Sequence, residues 1–195
     1  MGMQLWDAVI NALFLIVLLM CLGRVLDAGI QLLYNFMIAI IGSRAAYLLY
    51  NLVLFVGVVH HELSHALLAF ITGAKVTQVN LYKWDKNNNT LGSVSFIPRG
   101  PVMLQSIQLC LSAIAPVLMG FVSVTGMFIY YSVHGVSGYY LILFWYVFIS
   151  ILCHMRLSLQ DIKMAIKGLP MCYVLLVIIF YTFNFDLITY VRGLM

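Results

Sequence analysis

Val58-Val59-His60-His61-Glu62-Leu63-Ser64-His65-Ala66-Leu67-Leu68 is an apolar run broken by three histidines and by the only glutamate in the chain. Read as a helix, it places His61 and His65 four positions apart on one face, one turn above the other. Two imidazole nitrogens so spaced can hold one Zn²⁺ at ~2.0–2.1 Å. Glu62, beside the first histidine, is placed to take a proton from a water on that ion. His60 points ~100° away round the helix and reads as a packing or supporting residue.

The surroundings give this short pattern its weight. Of 195 residues, 64% are hydrophobic and only 8% charged, too few charges to cover a soluble surface. Long apolar runs between short charged stretches are the pattern of a chain dissolved in lipid. An ionisable side chain in such a run costs about 2.5–3.5 kcal/mol even on lenient insertion scales. Two histidines and a glutamate within five positions therefore need a compensating partner, and a divalent cation is one. The alternative is a polar contact between helices made by core histidines. The net charge of +4 is spread along the ends of apolar runs rather than gathered on one face, which argues against nucleic-acid binding.

Working outward, the expected spans are Leu5–Leu22, a weaker Val25–Ile41, Ala45–Ile71, Val102–Tyr131, Tyr139–Met155 continuing into Ser158–Lys167, and Met171–Tyr190. Val76–Ile97 differs: β-branched residues alternate on either side of Asp85-Lys86-Asn87-Asn88-Asn89, which predicts a β-hairpin with a polar tip. The predicted fold is thus an all-α multi-pass membrane protein of about five transmembrane helices, four to six being possible, with a small hairpin after the metal-binding helix. Residues 1–195 read as one domain with a core at about 45–168. The N-terminal run lacks a basic start and a small-residue cleavage site, so it reads as a retained helix. Cys21, Cys110, Cys153 and Cys172 lie in apolar segments without CxxC spacing and read as small buried hydrophobes. Alternating the loops puts Lys75, Lys83, Lys86, Arg99, Arg156, Lys163 and Lys167 on one side. Arg44, His134, Arg192 and Arg24 fall on the other, so the richer side is expected to be cytoplasmic.

A catalytic zinc site usually has three protein ligands and one open position. Asp161, His154, Asp186, Asp27 and His134 can be considered for the third. Depth favours Asp161: it lies six residues before Lys167, where its segment is expected to emerge, and His65 lies about as far from the end of its own helix near Thr72. A capping or salt-bridging role with Lys163 or Arg156 is the alternative for Asp161. His154 would lie about two turns deeper and reads as core or supporting.

The string His61-Glu62-Leu63-Ser64-His65-Ala66-Leu67, with Thr72-Gly73-Ala74-Lys75-Val76 after it, resembles the site-2 protease-like intramembrane zinc metalloproteases. Ala115-Pro116 resembles that family's proline step, and Asp161 stands where its aspartate ligand would be. Ser64 replaces the usual glycine, Asp161 lies outside an LDG motif, and the asparagine often near the proline step is absent. The resemblance covers about residues 45–168. It implies a zinc endopeptidase acting in the bilayer on transmembrane or membrane-associated polypeptides, with His61, His65 and Asp161 on the metal and Glu62 as base. A non-proteolytic zinc-binding membrane chaperone and a metal-ion carrier are the competing classes. The intact Glu62 argues against the first, and the concentration of ionisable groups at one level against the second.

Overall fold

The computed structural model describes residues 4–82 and 92–193. It is mostly helical: α1 (Leu5–Leu48), a π turn (Leu49–Val53), α2 (Phe55–Ile71), α3 (Val102–His134), α4 (Tyr139–His154), α5 (Leu159–Phe183) and α6 (Leu187–Arg192). Between α2 and α3 lies a two-stranded antiparallel sheet, β1 (Lys75–Asn80) and β2 (Ser93–Ile97). The polar tip expected at 85–89 lies outside the described residues. Three helical segments are long and apolar enough to cross a membrane: Leu5–Val53, Val102–His134 and Leu159–Phe183. Phe55–Ile71 and Tyr139–His154 are shorter apolar helices.

Several boundaries differ from the sequence reading. The two expected N-terminal spans form one helix through Arg24 and Asp27, with its break at Gly42 (φ 80°). Asp27 finds a cation in Arg156 at 4.0 Å, which removes the reason to end the helix there. The expected Ala45–Ile71 run is divided by the π turn and by Leu54, which is not helical. At the other end of the chain, α5 does not emerge at Lys167 but continues through Pro170 to Phe183. Lys163 and Lys167 thus stand within a helix, and Asp161 stands at its beginning. Gly168 lets this part of α5 lie directly against α3, since a Cβ there would strike the Ser106 carbonyl and Cys110. Asp186 caps α6, accepting from the Thr189 amide at 3.1 Å and from the Thr189 hydroxyl at 2.7 Å.

Helix α3 packs against α2, α4 and α5, and α1 lies along α5. Ala8 and Ala12 bury themselves against Phe180, and Ile30 packs with Tyr50 and Cys153. Of the cysteines, Cys110 and Cys153 are buried as expected, while Cys172 is half-buried and Cys21 exposed; all are free thiols.

The sheet pairs Lys75 with Ile97 and Asn80 with Ser93, with a bulge between Val76 and Gln78. It is fastened to the helices by Gln108, whose side chain is wholly buried. The Gln108 carbonyl accepts from the Arg99 amide at 2.8 Å, and its NH₂ donates to the Thr72 carbonyl at 2.9 Å and the Arg99 carbonyl at 3.2 Å. One side chain thereby closes the end of α2 onto the exit of β2. Gln108→Leu fills similar space but strands these backbone groups, each costing about 1–3 kcal/mol when left unpaired. A loss of about 2–4 kcal/mol is expected, read as a lowered unfolding midpoint in detergent; an unchanged midpoint would mean that the groups find other partners.

Candidate metal centre

Helix α2 presents His61 and His65 on one face because it is regular across them, and each ring is held from behind by a backbone carbonyl. His61 Nδ1 lies 2.9 Å from the carbonyl oxygen of His154, the last residue of α4. His65 Nδ1 lies 2.6 Å from the carbonyl oxygen of Ser112 in α3. A carbonyl can only accept, so both Nδ1 atoms carry protons, which in neutral rings leaves a lone pair on each Nε2. Those lone pairs face each other at 3.2 Å. Two acceptors at that distance repel unless a proton or a metal cation lies between them.

Asp161 completes the group. It is buried in the first turn of α5, where Ser158 caps the helix in a reciprocal pattern. The Asp161 amide donates to Ser158 Oγ at 3.1 Å, while Ser158 returns its amide (2.8 Å) and hydroxyl (2.7 Å) to Asp161 Oδ2. The carboxylate is thus fixed from one side and stabilised by the positive end of α5. Its Oδ1 lies 3.4 Å from His65 Nε2, and its Oδ2 lies 3.9 Å from His61 Nε2. Ligands ~2.0–2.1 Å from one tetrahedral ion are ~3.3 Å apart. The two Nε2 atoms are near that spacing at 3.2 Å, and with one atom taken from each residue the three ligand atoms lie within 4.8 Å of one another. Two neutral imidazoles and a carboxylate also suit a divalent ion chemically. The three residues could therefore hold a metal ion.

Glu62 is half-buried beside this group. Its side chain lies under the start of β2: a Cβ on Gly92 would stand 2.9 Å from Glu62 Cδ and 3.0 Å from Oε1. A side chain at position 92 would displace the Glu62 side chain from the place it occupies under the returning strand.

The remaining candidates have other work. The His154 ring lies outside the group of His61, His65 and Asp161; it bonds the Ser150 carbonyl through Nδ1 at 2.9 Å, and its own carbonyl orients His61. His60 Nε2 bonds Ser123 Oγ in α3 at 2.9 Å. Asp27 pairs with Arg156, and Asp186 caps α6. His134, expected in a loop, is the last residue of α3 and stacks on Tyr130 at 4.7 Å. Pro116 is buried inside α3, which continues past it. The carbonyls of Ser112 and His154 were not legible as participants, because main-chain oxygens carry no residue signature. The Ser158-x-x-Asp161 spacing is a helix-start signal that the reading of Tyr139–Met155 as continuing into Ser158–Lys167 passed over.

Removing the outer support is expected to weaken a metal without deleting a ligand. Ser158→Ala removes the hydroxyl bond to Asp161 Oδ2 and keeps only the amide's, and should lower affinity for added Zn²⁺ about tenfold, measured by competition with a chromophoric chelator. Asp161→Ala should lower the zinc content of the purified protein, and unchanged stoichiometry would pass the ligand role to another residue such as His154. The chain matches no protein-family model, and no curated protein or solved structure matches it.

Proposed function

We propose that this chain is an integral membrane zinc endopeptidase that hydrolyses peptide bonds in or near transmembrane segments of membrane proteins or of membrane-associated peptides. The observation that carries the reading is the convergence of two imidazole lone pairs and a buried carboxylate one position from the chain's only glutamate. A metal-binding site with a purely structural role has no use for that glutamate, and a carrier would need ionisable groups strung across the membrane. The likeness of His61-Glu62-Leu63-Ser64-His65 to the site-2 protease-like enzymes supports the same conclusion.

A zinc ion held by His61, His65 and Asp161 supplies Lewis acidity to a peptide carbonyl and makes water a better proton donor. The chain's own residues do the rest. The Ser112 and His154 carbonyls keep His61 and His65 in the tautomer that offers Nε2. Glu62 accepts the proton of the attacking water on its carboxylate and delivers it to the departing amine nitrogen. A substrate helix hides its backbone in its own hydrogen bonds and must unwind before it can be cut. The β1–β2 hairpin lies beside Glu62, and its strand edges can pair with an unwound segment as an added strand.

In this reading the five apolar helices α1 to α5 are the membrane core. Lys75 and Arg99 flank the hairpin on the side richer in basic residues, so that side is cytoplasmic and admits water to the site.

The test uses a co-expressed single-span membrane polypeptide tagged at both ends. Glu62→Gln is expected to retain its zinc and to cut at least ~100-fold more slowly, the scale of general acid–base catalysis. Cleavage at the wild-type rate would remove Glu62 from the chemistry. A zinc-loaded wild type that binds such polypeptides and never cuts them would instead establish the non-proteolytic chaperone.

A further inference from the structure

Residues Leu49–Val53 leave the α-helical pattern for a π turn immediately before α2. Such turns are rare, and when they occur inside helices they are frequent at functional sites. This one delivers Tyr50 into the interior, where it is buried. The Tyr50 hydroxyl donates to the Cys153 carbonyl at 2.6 Å. Its ring lies against the His154 ring with centroids 4.8 Å apart, and the Arg156 guanidinium sits 6.0 Å from its centroid. All three contacts fall on the end of α4 and the residues that follow it.

That end needs holding. The last four carbonyls of any α-helix lack partners within the helix. In α4 the closing bond is long, Met155 amide to Leu152 carbonyl at 3.4 Å. Of the free carbonyls, Cys153 is taken by Tyr50 and His154 by His61 Nδ1. The Cys153–His154 peptide immediately precedes the oxygen that sets the orientation of the His61 ring.

We infer that Tyr50 is a positioning residue of the metal centre, its hydroxyl anchoring the end of α4 so that the His154 carbonyl turns His61 Nε2 toward the ion. This rests on the reading of His61, His65 and Asp161 as metal ligands. Tyr50 touches neither ion nor substrate; it acts through the Cys153 and His154 backbone.

Co²⁺ added to the purified, metal-free full chain in detergent is the probe, because its visible absorption reports both affinity and ligand geometry. Tyr50→Phe keeps the ring against His154 and removes only the hydroxyl. It is expected to bind Co²⁺ about tenfold more weakly, the low end for a residue supporting a ligand from behind, and to shift the absorption bands. Placing 4-aminophenylalanine at position 50, which keeps a donor at the ring's para position, should restore both. A hydroxyl with a merely structural role would lower the unfolding midpoint of the metal-free Y50F protein and leave its Co²⁺ affinity and spectrum unchanged. That outcome overturns the inference, as does weak binding by the amino analogue. A wild type that binds no Co²⁺ would sink the metal reading and Tyr50's role with it, whereas normal wild-type binding beside an unaltered Y50F removes Tyr50 alone.

Discussion

Where one helix stops and another starts inside an apolar protein, eight backbone groups lose their helical partners with little water to replace them. The interval Met155–Ser158 between α4 and α5 is such a place. The partners found there are the residues of the candidate site. His61 satisfies the carbonyl of His154, Tyr50 that of Cys153, and Ser158 the amide of Asp161. The bonds that make the break tolerable are therefore the ones that aim the imidazole and the carboxylate. Removing either helix end would leave both a stranded backbone and a misdirected side chain.

The break also supplies an electrostatic frame. The carboxyl end of α4, with its partial negative charge, is applied to the back of the His61 ring, and the amino end of α5 stabilises the Asp161 carboxylate. Carbonyls behind both histidines accept the Nδ1 protons and so fix the orientation of both rings. Beside the same residues Glu62 is overlaid by Gly92, so the hairpin touches the candidate site. Gln108 and Ser112, one turn apart on α3, fasten that hairpin and His65 from a single helix face.

Much of this arrangement was legible in the sequence, for identifiable reasons. The three clustered ionisable residues stood out against an apolar background, and helical periodicity put two of them on one face. The hairpin showed as alternation. Asp161 was singled out by depth, yet the premise was wrong: it opens α5 rather than lying a turn and a half before its end. Its pairing with the histidines arises because the Ser158 cap holds the carboxylate at the head of the helix. Helix ends were the least legible part. Asp27 suggested a boundary in α1 because a charge in a long apolar helix looks terminal until its partner Arg156, remote in sequence, is known. The π turn was invisible, since it is a backbone property that Leu49-Tyr50-Asn51-Leu52-Val53 does not announce.

Gly57 carries a broader meaning. A Cβ at this position would run into the Ser150 carbonyl, so α2 and α4 meet main chain to main chain. Ser150 Oγ stitches the contact, accepting from the Gly57 amide at 2.8 Å and donating to the Leu54 carbonyl at 2.7 Å. Hydrocarbon tails are as oily as leucine, so greasy side chains alone give two helices in lipid little reason to keep a fixed separation. Here the gauge is cut from covalent geometry instead. The distance from His61 to its acceptor in α4 is thereby set by backbone contact, where side-chain packing alone would leave it free to drift.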